Sequence, residues 1–325
     1  MNIIDRKDTI LDVQHLTVKF TDRYRTGTAV DDISFKVKKG KILGIVGESG
    51  SGKSVTSMAI MQLLGSTNAT VTAEKVIFLG ENIFGKRRKD MQHIRGKHIS
   101  MVFQEPMTSL NPSLTVGTQI IETIIKHEKV TKAEAWKRAK ELLDIVQIPM
   151  PSERLKEYPH QLSGGMRQRV MIAMAISCNP ELIIADEPTT ALDVTIQSQI
   201  LELFKRLQKE FNLTMMLITH DMGVIAETAD DVMVMYAGRV VEYGNTENVL
   251  LHPKHPYTEA LIKAIPNMNV GKELETIPGN IPSIYEMPSG CNFHDRCNKC
   301  MNDCKIKKPQ SVEIDGCLVN CLLYK

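Results

Sequence analysis

Hydrophobic and polar positions change their spacing several times along the chain, and each change predicts a different element. Residues 11–46 alternate apolar and polar side chains and end in the wholly apolar run 42–46, which predicts strands and turns leading into a buried strand. A glycine-rich stretch follows, and the pattern over about residues 54–64 is then helical. Residues 99–103 predict a further strand.

Helical and strand patterns alternate through the rest of the chain. Spacing is helical from about residue 115 to 180, with Thr131 and Glu134 placed as an N-terminal capping box. Later segments predict strands at 181–185, 214–219 and 231–236 and a helix over 194–210. Alternating strands and helices predict an α/β fold with a parallel sheet, and the long helical region predicts an insertion near residues 105–180.

The pattern breaks after about residue 265. Residues 277–290 contain three prolines and two glycines, a composition typical of an extended linker. Six of the seven cysteines then lie between Cys291 and Cys321. We therefore expect a large domain over residues 1–265 and a small C-terminal extension over residues 266–325.

Composition narrows the functional classes. Hydrophobic residues make up 42% of the chain and charged residues 24%, as in ordinary globular proteins. A net charge of +2 offers no electrostatic argument for nucleic acid as a partner. The N-terminus has no secretory signal, and the longest apolar run, residues 170–178, is too short to span a membrane. We expect a cytosolic protein that can work at a membrane only by docking onto other subunits.

The glycine-rich stretch has the spacing of a phosphate-binding loop. It reads G-E-S-G-S-G-K-S, which matches G-x-x-x-x-G-K-[ST] between a buried strand and a helix. Glycines let backbone N–H groups surround phosphates, Lys53 supplies a positive charge for the β- and γ-phosphates, and the Ser54 hydroxyl can ligate Mg²⁺. The predicted ATP site consists of Gly47, Glu48, Ser49, Gly50, Ser51, Gly52, Lys53 and Ser54.

Two carboxylates follow the strand predicted at residues 181–185. Asp186 stands at the carboxyl edge of the strand, where α/β sheets bind ligands, and it can hold Mg²⁺ through water. Glu187 can then act as the general base for the attacking water. An acidic pair after a strand is often only a helix cap, but the phosphate-binding loop favours the catalytic interpretation.

Residues 162–165 read L-S-G-G, between the phosphate-binding loop and the acidic pair. With these three motifs in this order, residues 8–260 resemble the ATP-binding domain of ABC transporters. Further positions also match family motifs: Phe20, the aromatic that stacks on adenine; Gln104 of the Q-loop; Asp193 of the D-loop, residues 191–193; and His220, the switch histidine.

The resemblance implies a P-loop ATPase fold of the ABC type, with a RecA-like core, an antiparallel β subdomain and a helical signature subdomain. It implies that ATP joins two such domains head to tail, each signature facing the γ-phosphate held by the other domain. His220 then contacts the γ-phosphate and orients Glu187, and Gln104 senses Mg²⁺. The implied Mg²⁺ ligands are Ser54, Gln104 and Asp186, and the signature residues are Leu162, Ser163, Gly164 and Gly165.

Two stretches narrow the resemblance further. Residues 104–112 and residues 158–176, with Met166 directly after the signature, are similar to D-type ATPases of oligopeptide and dipeptide importers. This implies an ATPase at the cytoplasmic face of the membrane that drives two permease subunits beside a second, related ATPase subunit. An extracellular binding protein selects the cargo.

Two alternative functions stay open. Nickel importers share much of the same pattern, so a nickel or metal-chelate importer ATPase is the first. A soluble ABC ATPase acting on nucleic acid or ribosomes is the second, and it is disfavoured because the chain has one phosphate-binding loop and no heptad insertion.

The cysteine-rich extension allows three interpretations: free structural thiols, a zinc site or an iron–sulfur cluster. Cys297 and Cys300 have metal-ligand spacing, but spacing alone does not choose four ligands among six cysteines. Some peptide-importer ATPases carry a [4Fe–4S] cluster in a similar extension, and the resemblance implies one here. The matching positions are Cys291, Cys297, Cys304 and Cys321. We expect His294 to be an exposed loop histidine and Cys178 to lie in the core.

Overall fold

The computed structural model describes residues 8–190, 192–265 and 276–324. It divides into two compact units, one formed by residues 1–84 with 217–325 and the other by residues 85–216. The first residue of the predicted D-loop, Ala191, and the start of the predicted extension, residues 266–275, lie outside the described residues.

Both units contain strands and helices. The first unit contains the strands β1 (Thr9–Thr21), β2 (Thr26–Lys38), β3 (Ile42–Val46), β4 (Ala69–Thr72), β5 (Lys75–Phe78), β6 (Glu81–Asn82), β10 (Asp231–Tyr236), β11 (Arg239–Asn245), β12 (Val312–Ile314) and β13 (Cys317–Val319). Its helices are α1 (Lys53–Ile60), α9 (Met222–Thr228), α10 (Thr246–Leu251) and α11 (Pro256–Lys263). The second unit contains β7 (Ile99–Val102), β8 (Leu182–Asp186), α2 (Arg88–Ile94), α3 (Pro106–Ser109), α4 (Val116–His127), α5 (Lys132–Ile145), α6 (Pro151–Arg154), α7 (Gly164–Ile176) and α8 (Val194–Phe211). Strand β9 (Thr214–Thr219) crosses the division between the units.

An antiparallel sheet occupies the N-terminal part of the first unit. Its strands run in the order β2-β1-β5-β6, and β4 pairs with β1. Along β1 the side chains of Leu11, Val13, Leu16 and Val18 are buried while the residues between them are more exposed, so this sheet has one core-facing side. This sheet is the antiparallel subdomain that the resemblance implied.

A second sheet of the first unit is built around parallel strands. Strand β3 pairs in parallel with β10, and both are buried along their whole length, as their continuous apolar runs predicted. Strand β11 continues the sheet antiparallel to β10, and the hairpin β12–β13 adds to β11. The C-terminal extension therefore contributes strands to the same sheet, which the sequence analysis missed.

The second unit combines a parallel strand pair with packed helices. Strands β7 and β8 run in parallel, with Ile99 opposite Leu182 and Val102 opposite Ala185. Helix α5 begins with the predicted capping box, since the Thr131 N–H donates to Glu134 Oε2 at 2.7 Å and the Glu134 N–H donates to Thr131 Oγ1 at 3.3 Å. Helices α3 to α7 lie between residues 106 and 176, the region over which the sequence predicted a helical insertion.

Helix α8 is long and amphipathic. Its 18 residues bury Ile200, Leu203, Phe204 and Leu207 while charged side chains occupy other positions. None of the helices in the described ranges has both the length and the apolar character needed to cross a bilayer.

Candidate nucleotide-binding site

The phosphate-binding loop of the first unit connects β3 to α1 through a backbone path that only glycine permits. A Cβ atom at Gly47 would overlap the Met235 carbonyl oxygen of β10. Gly52 has a left-handed backbone with φ 97°, and a Cβ there would lie 2.5 Å from the Ala29 carbonyl oxygen. The loop backbone is therefore held tightly against neighbouring strands, as close phosphate binding requires.

The positive charge of this loop comes from Lys53, the first residue of α1. Its side chain is only 4% exposed, and Nζ donates to the Gly47 carbonyl at 2.7 Å and to the Glu48 carbonyl at 3.1 Å. Ser54 follows in the same turn and is half-buried. A lysine ammonium and a helix N-terminus at one place form a site for an anion, and a triphosphate fits this chemistry.

The first unit also contains the predicted adenine and switch residues. Phe20 lies at the end of β1, half-buried, and pairs with Gly27 of β2 and Ala69 of β4. His220 follows β9 and is exposed, and Asp221 caps α9 by accepting the Gly223 N–H at 2.7 Å. The structure places both predicted residues at strand ends.

In the second unit the parallel strands bring two predicted residues together. Because Val102 lies opposite Ala185, Gln104 and Glu187 leave β7 and β8 side by side. Gln104 Nε2 donates to Glu187 Oε2 at 3.3 Å. Asp186, the last residue of β8, is 3% exposed, so its carboxylate lies at the buried carboxyl edge of the strand.

Glu187 has an unusual backbone conformation. Its φ is +45°, in the left-handed region that a residue with a side chain enters only at a cost of about 1–2 kcal/mol. The Thr190 hydroxyl donates to Glu187 Oε2 at 2.9 Å, and the Thr190 N–H donates to the Glu187 carbonyl at 3.2 Å. Thr190 therefore holds this turn, a contact that the sequence analysis missed.

The L-S-G-G motif forms the start of α7. Ser163 is the N-cap and its Oγ accepts the Met166 N–H at 3.3 Å, while Leu162 is buried beside it. A Cβ at Gly165 would lie 2.8 Å from Ile196 Cγ2, so α8 packs against this helix start. The serine and the following amides lie at a helix N-terminus, and such a terminus has the chemistry to bind an anion.

The predicted D-loop residue has a structural contact of its own. Asp193 is the N-cap of α8, and its Oδ1 accepts the Ile196 N–H at 3.0 Å. Ile196 is the same side chain that packs on Gly165. The signature helix and the D-loop are thus connected within the second unit.

All seven cysteines are free thiols, and their surroundings differ. Cys178 is buried, as predicted, whereas Cys300 is exposed. Cys317 on β13 packs against Gly244 of β11, where a Cβ would lie 2.5 Å from its sulfur. Cys178 and Cys317 therefore lie apart from the other cysteines, whereas desolvation and the neighbouring Cys304 raise the pKa of Cys300.

The four cysteines predicted as ligands influence one another. Burial, together with the charges of Cys304, Cys321 and Cys297, raises the pKa of Cys291 to about 11. In the described ranges, however, no three His, Cys, Asp or Glu side chains are placed to hold one metal ion, so the metal prediction is not confirmed.

The expectation for His294 is wrong, because its side chain is 13% exposed rather than open to solvent. Its Nδ1 lies 2.9 Å from the Cys291 carbonyl oxygen, and its Nε2 lies 3.0 Å from Asp295 Oδ1. The ring is thus held inside the cysteine-rich segment.

Two family profiles match the chain. One, described as ABC transporter, matches residues 30–190, and the other, described as oligopeptide/dipeptide transporter, C-terminal region, matches residues 241–304.

Curated relatives are similar along nearly the whole chain. The dipeptide transport ATP-binding protein DppD of Bacillus subtilis is 48% identical over 318 residues, covering 97% of this chain and 95% of that protein. DppD of Escherichia coli is 50% identical over 301 residues, or 92% of each chain. The oligopeptide transport ATP-binding protein OppD of Salmonella typhimurium is 46% identical over 315 residues, covering 97% and 93%.

Solved structures match a large part of the chain. The ATP-binding cassette MJ0796, in a dimeric post-hydrolysis state bound to ADP and Pi, superposes with a TM-score of 0.65 at 28% identity. The match covers 73% of this chain and 98% of that one. CbiO1 of Clostridium perfringens, part of the ABC transporter complex cbiONQ, gives a TM-score of 0.64 at 28% identity, covering 75% and 92%.

Proposed function

The chain belongs to the ABC transporter family of ATP-binding proteins, and we propose that it is the ATPase subunit that powers a peptide importer. Similarity to dipeptide and oligopeptide transport ATP-binding proteins extends over nearly the whole chain, and this observation carries the proposal. It includes residues 241–304, which match the C-terminal region typical of that transporter group.

The first unit supplies the groups proposed to bind the nucleotide. Phe20 stacks on adenine, the loop from Gly47 to Gly52 surrounds the phosphates with its N–H groups, and Lys53 contacts the β- and γ-phosphates. The burial of Lys53 and its position inside the loop support this role, because a desolvated ammonium attracts phosphate more strongly than an exposed one.

The hydroxyl of Ser54 and the carboxylate of Asp186 are the proposed ligands of Mg²⁺, with the amide oxygen of Gln104. Oxygen donors of this kind suit Mg²⁺, which neutralises charge on the phosphates when bound. Asp186 ends a buried strand, which supports its assignment to a bound cation rather than to solvent.

Glu187 is the proposed general base for the attacking water, and His220 is proposed to contact the γ-phosphate. The strained turn at Glu187 and its contacts with Gln104 and Thr190 support a carboxylate held in one direction. Such a fixed base accepts the proton of water as oxygen attacks phosphorus.

The helix start at Ser163, Gly164 and Gly165 is proposed to bind the γ-phosphate held by a second ATPase subunit, with Leu162 buried behind it and Asp193 at the contact between the two subunits. We propose a related but different chain as this partner. Two membrane permease subunits complete the importer, this chain lies at the cytoplasmic face, and an extracellular binding protein delivers the peptide.

Residues 1–265 are the proposed ATPase domain, with a helical subdomain near 105–180, and residues 266–325 are the proposed extension. Cys291, Cys297, Cys304 and Cys321 are the proposed ligands of a [4Fe–4S] cluster, with zinc as the alternative. The influence of Cys304, Cys321 and Cys297 on the pKa of Cys291 supports a group of these four thiols, and the exposure of Cys300 and the packing of Cys317 on Gly244 favour them over the other two. A bound cluster would cross-link four points of the extension.

Metal analysis of anaerobically purified protein tests the cluster. We expect about four iron and four sulfide per chain and a broad visible absorbance from charge transfer between thiolate and iron. A stoichiometric zinc content without sulfide would establish the zinc site instead. If the protein contains neither iron nor zinc, the cysteines are free thiols.

Reconstitution of the importer with its permeases in vesicles tests the function. We expect ATP hydrolysis that rises when a peptide-loaded binding protein is added and does not respond to nickel chelates. Stimulation by nickel chelates alone would assign the chain to metal uptake, and purification without any permease subunit would contradict an importer.

A further inference from the structure

The five residues between Cys291 and Cys297, here called the 292–296 segment, lie against the nucleotide-binding part of the first unit. The segment contains a short 3₁₀ helix, His294–Arg296. Three of its side chains contact residues far away in sequence, while His294 and Asp295 pair with each other. The proposed function assigns no role to these three side chains, Asn292, Phe293 and Arg296.

Arg296 forms an ion pair with the second residue of the phosphate-binding loop. Its Nη1 donates to both carboxylate oxygens of Glu48 at 3.1 Å, and the Arg296 side chain is only 6% exposed. Nε donates to the Pro278 carbonyl at 2.7 Å and Nη2 to the Ile277 carbonyl at 3.2 Å, while Nη1 also lies 3.3 Å from the Tyr236 hydroxyl. The guanidinium is therefore fixed in one orientation toward the loop.

Glu48 in turn contacts the residues that form the phosphate site. Its N–H donates to the Tyr257 hydroxyl at 2.9 Å, and its carbonyl accepts the Ser51 N–H at 3.2 Å and Lys53 Nζ at 3.1 Å. The carboxylate that Arg296 holds thus belongs to the residue that also holds the loop and its lysine.

Asn292 and Phe293 hold the same segment in place from the other side. Asn292 Nδ2 donates to the Ala237 carbonyl at 2.8 Å, and the next residue, Gly238, donates its N–H to the Ser51 carbonyl at 3.0 Å. Phe293 is 3% exposed and packs edge-on against Tyr236, with ring centroids 5.0 Å apart. Arg296 is therefore positioned by a folded segment and not by a flexible tail.

Arg296 compensates the negative charge of Glu48, which otherwise opposes phosphate binding. A carboxylate in a loop that binds phosphates repels a triphosphate, and it does so most strongly where water is partly excluded. Arg296 compensates that charge through the side chain of Glu48, and the rest of its guanidinium contacts Tyr236, Pro278 and Ile277, outside the glycine-rich loop.

We propose that Arg296 is a positioning and charge-compensating residue for nucleoside triphosphate binding, acting through Glu48, and that it makes ATP affinity depend on the folded C-terminal extension. The proposal rests on the proposed ATP binding at residues 47–54. It adds that a residue of the C-terminal extension, which belongs to none of the ATP-binding motifs, compensates the negative charge of the phosphate-binding loop.

Titration of the full-length chain with the fluorescent nucleotide mant-ATP tests the proposal. We expect Arg296→Met to weaken ATP binding roughly tenfold and ADP binding less, because the repulsion from Glu48 grows with phosphate charge. In the reconstituted importer, KM for ATP should rise by a similar factor while kcat changes less than twofold. Lys299→Met is the matched control, since Lys299 lies in the same extension but pairs with Glu259 at 2.8 Å.

The double variant Arg296→Met with Glu48→Gln distinguishes the loss of charge compensation from a loss of folding. Removing both charges should recover most of the lost affinity, and Glu48→Gln alone should bind ATP more tightly than the original chain. If the double variant is as weak as Arg296→Met, the charge argument fails. If Arg296→Met does not fold, the tightening by Glu48→Gln and partial retention of affinity in Arg296→Lys decide the question.

Binding of mant-ATP by the original chain distinguishes a failure of the proposed function from a failure of the proposed role of Arg296. If it binds no mant-ATP, the proposed function itself fails. If it binds mant-ATP and Arg296→Met binds equally well, only the role of Arg296 is overturned.

Discussion

At Glu187 the side chain proposed as the general base occupies a backbone conformation that most residues avoid. The left-handed φ of +45° turns the chain sharply after Asp186, and Thr190 and Gln104 both contact the carboxylate oxygen Oε2. Strain that is held by several contacts is typical of a functional turn rather than of an accidental one. The carboxylate direction therefore depends on neighbours on both sides of it.

Replacing Glu187 with Gln should lower ATP turnover by roughly 10²–10⁴-fold, because the amide cannot accept the proton of water. Nucleotide binding should stay within about twofold, since shape and most contacts are kept. Steady-state phosphate release and mant-ATP titration measure the two effects. Glu181→Gln is the control, because Glu181 precedes β8 and pairs with His98 at 3.0 Å; equal turnover in both variants would remove Glu187 as the base.

The two glycines of the signature differ in the space around them. A Cβ at Gly165 would lie 2.8 Å from Ile196 Cγ2, whereas a Cβ at Gly164 would have 3.7 Å to Leu192 Cδ2. Gly165→Ala should therefore destabilise the fold by about 1–3 kcal/mol through overpacking, and Gly164→Ala by much less. Urea denaturation of both variants measures the difference, and equal stabilities would contradict the packing argument.

Among the elements, prediction from sequence succeeded where a strand buries both faces. The runs 42–46 and 232–236 are continuously apolar, and the strands that contain them pair with each other in the sheet. It missed β12 and β13, which have three residues each, because so short a strand has no period of its own and the hairpin forms only where β13 pairs with β11. Local pattern cannot predict an element that depends on a distant partner.

The start of α11 depends on a buried neutral histidine. His255 is 1% exposed, its Nδ1 accepts the Tyr257 N–H at 3.0 Å, and burial lowers its pKa from 6.5 to about 3. Since the unfolded chain binds a proton near pH 6.5 and the folded chain does not, stability is complete above that pH and is lost as pH falls toward 3.

We expect the free energy of unfolding to fall by up to about 1.4 kcal/mol per pH unit from this histidine between pH 6 and 4. His255→Asn keeps a helix-capping side chain but removes the titration, so its stability should depend less on pH. The exposed His252→Asn should keep the original dependence. Buried Glu242 has a raised pKa and acts in the opposite direction, losing stability as pH rises, but it is present in every variant. Urea titrations at several pH values give the comparison, and parallel curves for His255→Asn and the original chain would contradict it.

For the whole molecule, the sequence motifs identified the residues of the candidate site but not what supports them. Lys53, Asp186 and Glu187 stand in short patterns with known spacing, so their chemistry could be predicted one motif at a time. The pair of Arg296 and Glu48 is separated by 248 positions and has no spacing rule. Such contacts depend on the way the C-terminal extension packs on the first unit, which no local pattern contains.

The C-terminal extension contributes to the core of the first unit, so the loss of a core side chain of the extension should lower the stability of the protein. Phe293 contacts Tyr236, Tyr257 and His255, with ring centroids 5.0, 5.3 and 5.8 Å away. Phe293→Ala should lower stability by about 3–5 kcal/mol, as expected for an aromatic side chain lost from a packed core. Ile306→Ala in the same extension is the control, because Ile306 is 69% exposed and should change stability little. Thermal denaturation of both tests it, and a loss of similar size in the control would show that the extension is simply fragile.

Strand β3 and its parallel partner β10 are separated in sequence by the whole second unit. On a ribosome the chain emerges from its N-terminus, so residues 85–216 are complete while Gly47 still lacks the Met235 backbone against which it packs. A nascent chain stopped at residue 216 contains the whole second unit but cannot complete the packing of its phosphate-binding loop. Nucleotide binding is therefore acquired late in translation, after Met235 has emerged from the ribosome.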